Sequence, residues 1–365
     1  MLEVKNISVR VGNFTLKNVS LTIKDNECHV IIGPTGSGKT LLLESIIGFR
    51  RPLKGEILLD GKRIDNLSVE KRGFSYVPQD LALFPHLSVR DNIYYGLKIK
   101  GSKGGMDQNI ADEIIEAVGI RHLINRSIKG LSGGEKQRVA LVRAIAPGYR
   151  YLLLDEPLSA LHEGLKHELW FLIKELQQRY GLTILMITHD IEEAFFLGDT
   201  ISILIDGKLH QTGRKSDSLI PKSLEVAKFF GIRNLFETEL IHTDTDTFTV
   251  YCEELNTKLS VRKDYGFLNS LTDHRLIAGI RSEDVMILRE DLIRKDQDNM
   301  LTGSIKHVFY KGSYYIVTIL VDNSTRLIDV ELSDYAFRKL NISPGQRVYI
   351  SLRSERMFLI PSAQT

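Results

Sequence analysis

Apolar and polar positions near the start of the chain fall into short segments, LEVKNISV, then FTLKNVSLTI, then ECHVII. Alternating or unbroken apolar stretches of this length predict strands. The third segment runs straight into GPTGSGKT and then into the helix-spaced TLLLESIIGF, giving the order strand, glycine loop, helix. EILLDG and GFSYVPQ read as further strands. Residues 86–147 then carry helical spacing, interrupted by GSKGG at 101–105, where a surface loop is expected. Strands return as YLLLD and LTILMIT, with the helical HEGLKHELWFLIKELQQRY between them. Strands alternating with helices predict a mostly parallel sheet covered by helices. ISILIDGKLHQTG closes this part as an expected hairpin, with Asp206 and Gly207 at its turn.

The pattern changes after PKSLEVAKFFG. From about residue 236 the chain consists of short alternating stretches: FTVYC, TKLSV, LIAGI, SIKHVFY, YYIVTILV, RLIDVEL, QRVYISL and RMFLI. One short helix, SDYAFRKL, begins at a serine cap, Ser333. The expectation is an all-β sandwich or small barrel over 236–365, following an α/β domain over 1–235 with a helical subdomain at about 86–147. A chain of 365 residues with 43% hydrophobic content has material for two such cores.

Charge and composition narrow the function. A net charge of +2 provides no broad field for nucleic acid, and no nucleic-acid partner is expected. Cys28 and Cys252 form no CxxC pair and read as buried thiols in a reducing compartment. The charges in MLEVKNISVR leave no secretory core, and runs such as LTILMI fall short of the roughly 20 apolar residues of a membrane helix. A soluble cytoplasmic protein is expected, so that work at a membrane requires another protein to span it.

GPTGSGKT, at Gly33–Thr40, has the spacing of a phosphate-binding loop. Gly33, Gly36 and Gly38 are expected to let the backbone curl with its N–H groups toward phosphate, with Pro34, Thr35 and Ser37 completing the loop. Lys39 brings positive charge to the β- and γ-phosphates of ATP, and the Thr40 hydroxyl can ligate Mg²⁺. In YLLLDEP, Asp155 emerges at the carboxyl end of a buried strand, where it is placed to hold Mg²⁺. Glu156, next in the chain but pointing differently, is placed to polarise an attacking water.

LSGGEKQR, at Leu131–Arg138, is a second anion grip. A glycine-rich helix start offers unpaired N–H groups and the positive end of a dipole, here Ser132, Gly133 and Gly134 ahead of Glu135. One nucleotide has one γ-phosphate end. If the loop at Gly33–Thr40 wraps the chain's own nucleotide, LSGGE is best explained as serving another molecule's. Two copies arranged head to tail then make two ATP sites in a closed, symmetric dimer.

GPTGSGKT, YVPQ, LSGGEKQR, LLLDEP and ITHD, in this order, resemble the ATPase subunits of ABC transporters over about residues 2–235. The resemblance implies an α/β P-loop NTPase fold with a helical subdomain, a homodimer closed by ATP and reopened by hydrolysis, and separate membrane permease subunits. By the same resemblance Gln79 contacts Mg²⁺ and the attacking water and senses the permease. Ser132, Gly133, Gly134 and Glu135 meet the γ-phosphate in trans, and His189 hydrogen-bonds it. The sequence departs from the family in two places. An adenine-stacking aromatic is usual near position 11, where this chain has Val11, with Phe14 three residues on. The family's SALD is SALH here, with His162 in place of the aspartate.

The competing class is a soluble ABC ATPase of the DNA-repair or translation type. Those carry two cassettes or a coiled-coil insertion, and neither is visible. The tail, from GIRSEDVMIL through LTGSIKHVFYKGSYYIVTILV to LSDYAFRKLNISPGQRVYISL, resembles the OB-like accessory barrel of importer ATPases for oxyanions, sugars, polyamines and iron. NFTLKNVSL and GPTGSGKTLLLE are similar to stretches in molybdate/tungstate members. The expectation is therefore an importer ATPase at the cytoplasmic face of the membrane, served by an external solute-binding protein, for molybdate, tungstate or a related oxyanion such as sulfate. Iron(III), a polyamine or a sugar are the alternative cargoes. The segment 80–93, with Leu83, Phe84 and Leu87, is expected to dock a permease helix, and Lys311 in KGS at 311–313 to help hold an oxyanion.

Overall fold

Three strands whose every residue is buried, Cys28–Ile32, Tyr151–Asp155 and Thr183–Thr188, form the centre of a six-stranded sheet. Being covered on both faces, they read as continuous apolar runs rather than alternating ones. They pair in parallel, with Phe74–Val77 parallel at one edge and Thr200–Ile205 parallel on the other side. Lys208–Arg214 adds the antiparallel edge through the expected turn, where Asp206 and Gly207 have φ of 47° and 73°. This computed structural model describes residues 1–100, 108–263, 275–288 and 299–362; the loop expected at 101–105 lies outside them. No helix among the described residues is long and apolar enough to cross a membrane.

The first two strands do not join that sheet. Leu2–Val11 and Phe14–Ile23 pair with each other and with Lys54–Leu59 in a separate four-stranded antiparallel sheet. Its alternating inward positions, Leu2, Val4, Leu16 and Ile23, meet the helix Lys39–Ile47 and Leu153 and Leu185 of the central strands in one core. That packing holds the glycine loop between two sheets. The helical part comprises Val89–Lys100, Gln108–Ala117 and Gly133–Ile145.

The chain divides into compact units Met1–Leu219 and Ile220–Thr365, earlier than the change of pattern at 235. The reason is the short helix Leu224–Phe229: its Ala227 packs with Ile277, Phe358 and Ile360 of the β unit. The β unit also contains a strand not expected from the sequence, Asn234–Thr243, at the centre of one five-stranded sheet. A second five-stranded sheet shares its core, through Phe236, Val250 and Leu259 on one side and Val317, Val330 and Ile350 on the other. The helix Asp334–Leu340 starts at Ser333, whose side chain accepts from the Ala336 amide, as expected. Both cysteines are buried and free.

Asn234 joins the two sheets. Its amide nitrogen donates to the Asp329 carbonyl at 2.8 Å and its amide oxygen accepts from the Asp329 N–H at 2.9 Å, in an almost fully buried position. Asn234→Ala leaves both backbone groups unpaired and is expected to lower stability by about 2 kcal/mol. Urea unfolding of the intact chain, followed through the β-unit transition, checks this.

Candidate nucleotide site

A cavity of about 670 Å³ opens where the glycine loop meets the carboxyl ends of the central strands. Thr35, Gly36, Gly38, Lys39 and Thr40 line it from the loop, and Gln79, Glu156 and His189 from the strand ends. Gly36 and Gly38 have φ of 82° and 98°, the left-handed backbone the curl requires. A Cβ at Gly38 would also lie 2.8 Å from the Phe14 ring. Gly33 is required for a different reason than curling. Its φ is not positive, and a Cβ there would come within 1.9 Å of the Leu204 carbonyl oxygen.

The Lys39 ammonium donates to the Gly33 and Pro34 carbonyls at 2.9 and 3.1 Å. Burial lowers its pKa from the ordinary lysine value, while Glu156 and Asp155 nearby work in the opposite sense. Asp155 ends a strand buried along its whole length, and burial raises its carboxyl above the usual range, with the Glu156 charge adding to this. The Thr40 hydroxyl donates to Asp155 Oδ1 at 3.4 Å, and the Tyr76 hydroxyl donates to Oδ2 at 3.3 Å. Sequence reading missed Tyr76. Its only signal was a place on the strand Phe74–Val77, which runs parallel beside Tyr151–Asp155.

Glu156 diverges from its neighbour because its backbone is left-handed, φ 43°. A non-glycine residue there is strained by about 1–2 kcal/mol. The Glu156 N–H bonds the Ile187 carbonyl at 2.9 Å, which fixes the turn. Its carboxylate Oε2 lies 3.1 Å from His189 Nδ1 and 3.5 Å from Gln79 Nε2. The three side chains read separately from the sequence thus converge on one oxygen.

Ser132, Gly133, Gly134 and Glu135 do not line this cavity. They form a capping box: Ser132 Oγ accepts from the Glu135 N–H at 3.3 Å, and Glu135 Oε2 accepts from the Ser132 N–H at 2.7 Å. The Glu135 carboxylate is therefore committed to its own helix start, which holds its pKa below the usual range. What remains for an anion is the Ser132 O–H and the Gly133 and Gly134 amides. His162 occupies the N-cap position of the helix Glu163–Tyr180, yet its side chain makes no cap hydrogen bond. Val11, 40% exposed, and Phe14, packed on the glycine loop, both reach the cavity.

The profile of the ABC transporter family matches residues 16–159, and that of the TOBE domain matches 278–360. Molybdate/tungstate import ATP-binding protein WtpC of Pyrococcus horikoshii is 34% identical over 362 residues, 99% of this chain and 100% of its own. The chain belongs to the ABC transporter ATPases, among their import ATP-binding subunits. Spermidine/putrescine import ATP-binding protein PotA of Roseobacter denitrificans is 42% identical over 353 residues, 96% of this chain and 95% of its own. Among solved structures, the dimeric bacterial ABC transporter cassette MJ0796 superposes with a TM-score of 0.52 at 30% identity. It covers 59% of this chain and 99% of its own. The same cassette has been solved as a post-hydrolysis dimer bound to ADP and Pi. This ABC subunit is an ATPase, built as an α/β P-loop cassette followed by an OB-like all-β domain.

In the β unit, Lys311 lines a cavity of about 340 Å³ together with Arg233 and Arg281, but Glu283, Asp329 and Glu331 line it too. Basic and acidic side chains thus line this cavity in equal number.

Behind His189 lies Glu193, on the helix Ile191–Leu197. Its Oε2 accepts from the Thr188 hydroxyl, whose oxygen accepts from the Asp190 N–H at 3.1 Å; Oε1 is buried without a partner. Burial pushes its pKa from 4.5 to about 7, aided by Asp190 and Glu156 and opposed by the Thr188 hydrogen bond and Lys166. The folded state thus holds a proton that the unfolded chain has released between these two values. The resulting stabilisation is complete below pH 4.5 and is lost as pH rises through about 7. Glu193→Gln cannot titrate. Its melting temperature is expected to gain on that of the unmodified protein as pH rises through this window, in parallel thermal scans; a constant difference contradicts the assignment.

Proposed function

We propose that this ATPase is the motor of a membrane importer, two copies of it closing on ATP. The observation that carries the reading is that Lys39, Thr40, Gln79, Glu156 and His189 share one cavity while Ser132–Glu135 lie outside it. A γ-phosphate end bound in that cavity leaves the Ser132 O–H and the Gly133 and Gly134 amides free to grip the γ-phosphate of a nucleotide on the partner copy. MJ0796, a relative by fold and sequence, is a dimer in its solved form, which supports this arrangement.

Each residue has work that its surroundings suit. The loop amides and Lys39 hold the β- and γ-phosphates. Thr40, Asp155 and Gln79 offer hard oxygen atoms, and the buried Asp155 carboxylate is a charge that a cation would neutralise, so the set fits Mg²⁺. When bound, Mg²⁺ offsets phosphate charge during phosphoryl transfer. Glu156 accepts a hydrogen bond from the attacking water and draws off its proton. Gln79 and His189, both facing Glu156 Oε2, orient that carboxylate, and His189 hydrogen-bonds the γ-phosphate.

The chain works at the cytoplasmic face of the membrane, against integral permease subunits fed by an external solute-binding protein. The docking segment at 80–93 is less free than its sequence suggested: Phe84 packs on Tyr95 at 4.5 Å between ring centres. Tyr95 and Ile99 on the following helix remain exposed and extend the surface offered to a permease helix. Molybdate or tungstate is the cargo we favour, since WtpC matches over the full length of both chains. A polyamine is the second reading, favoured by the 42% identity to PotA. Uptake of labelled tungstate and of labelled putrescine by vesicles carrying the assembled transporter separates the two. We expect tungstate uptake alone to depend on ATP.

Glu156→Gln is expected to keep ATP affinity while slowing turnover by at least about a hundredfold, and to accumulate an ATP-bound dimer. Size-exclusion chromatography in excess ATP checks it: monomers with nucleotide bound would refute the composite site. Ser132→Arg is expected to spare nucleotide binding by the monomer and abolish turnover. Equal loss of both would assign LSGGE to the chain's own nucleotide.

A further inference from the structure

Immediately after Gln79 the backbone does something costly. Leu81 and Ala82 both adopt left-handed φ, 62° and 42°, a conformation that side chains beyond glycine resist. The turn that carries Gln79 is closed by the Leu81 N–H bonding the Pro78 carbonyl at 2.9 Å, and the Ala82 N–H bonds Asp80 Oδ1 at 3.2 Å. These local bonds leave the two carbonyls of the strained pair to be satisfied from elsewhere. Arg143 satisfies both. Its guanidinium donates from one nitrogen to the Leu81 oxygen at 2.6 Å and from the other to the Ala82 oxygen at 2.5 Å, reaching across 62 and 61 residues of sequence. Its carbon lies 5.5 Å from the centre of the Phe84 ring. Burial lowers the Arg143 pKa, with Asp80 opposing, so the charge is withdrawn from water for these contacts.

Arg143 sits in the last turn of the helix Gly133–Ile145, whose first turn is the anion grip at Ser132–Gly134. Thirteen helical residues span roughly 20 Å as a stiff rod. The same end of the rod is fastened to the strand leading into Gln79, because the Ser75 hydroxyl donates to the Ala144 carbonyl. The strand before Gln79 and the turn after it are thus both tied to the end of the helix remote from the grip.

We infer that Arg143 is a positioning residue, a latch that makes the Gln79 turn follow the helix bearing the anion grip. Engagement of that grip by phosphate then sets how Gln79 faces Glu156. The residue type matters, since two adjacent carbonyls need two nitrogens in a planar fork; a lysine ammonium on a flexible stem cannot hold both in one geometry. The inference rests on the proposed part of Gln79 in hydrolysis.

The test uses the full chain with Arg143→Lys, which keeps charge and stem, and Arg143→Met, with Gln79→Ala as the reference for the underlying reading. Fluorescent-nucleotide affinity is expected to stay within about twofold, because the latch is outside the cavity, while kcat falls roughly tenfold or more with little change in KM. Ala82 is exposed, and Ala82→Gly removes that residue's share of the left-handed strain that the latch holds, leaving the share of Leu81. Adding it to either Arg143 variant is expected to restore kcat about fivefold, a recovery that general damage to the fold does not produce. If Gln79→Ala slows hydrolysis while both Arg143 variants keep normal kcat, the latch is wrong. It is equally wrong if kcat falls without any recovery from Ala82→Gly. Normal kcat in Gln79→Ala overturns the premise about Gln79 instead.

Discussion

A carboxylate carried into the interior is the constraint on which this cassette turns. Tyr151–Asp155 is buried at every position because the parallel strands on both sides, and the elements covering its faces, leave it no water. Asp155 reaches the cavity only at the end of that strand, with burial working against its charge. Two hydroxyls answer that cost, while the neighbouring Glu156 charge adds to it. Thr40 and Tyr76 donate to its two oxygens, and its charge works against the lowering of the Lys39 pKa by burial. The next residue escapes the same fate by a left-handed turn that sends Glu156 toward His189 and Gln79. Two adjacent acids thereby acquire different chemistry from one backbone angle.

The helix Gly133–Ile145 shows the complementary principle, a structure that satisfies itself enough to stand but not completely. Its capping box uses the Ser132 amide and the Glu135 carboxylate internally, leaving the glycine amides and a hydroxyl proton unspent. Charge is kept off those donors by committing Glu135 to the cap. At the opposite end, the helix spends an arginine on two carbonyls of a strained turn rather than on a carboxylate. The two ends of one stiff helix thus carry free donors at one terminus and an arginine fork at the other.

Much of this was legible in the chain. Glycine loops, the strand-to-acid transition at YLLLDEP, the Asp206–Gly207 hairpin and the Ser333 cap are local, since a few adjacent residues decide their backbone angles and hydrogen bonds. The glycine loop, Asp155 and Glu156 were read from such signals, whereas Gln79 and His189 were read from the family resemblance. Tyr76 was read from neither, because an aromatic on a strand has no local mark that distinguishes a core position from one facing a buried acid 79 residues later. The earlier domain boundary escaped for a like reason: LEVAKF has an ordinary helical pattern, and only contact with Ile277 and Phe358 assigns it to the β unit.

What the sequence determined by itself was therefore the set of elements and the chemistry each could offer, because backbone preference and donor supply are written within single turns. The tertiary structure decided which of those offers meet. It drew Leu2–Val11 and Phe14–Ile23 into a sheet of their own, made Gly33 necessary through the Leu204 carbonyl, and kept LSGGE out of the cavity that holds Lys39. It also brought Glu283, Asp329 and Glu331 to the lining of the cavity that Lys311 shares. Each of these depends on packing between segments far apart in the chain, where close contact and charge balance, not local propensity, fix the outcome.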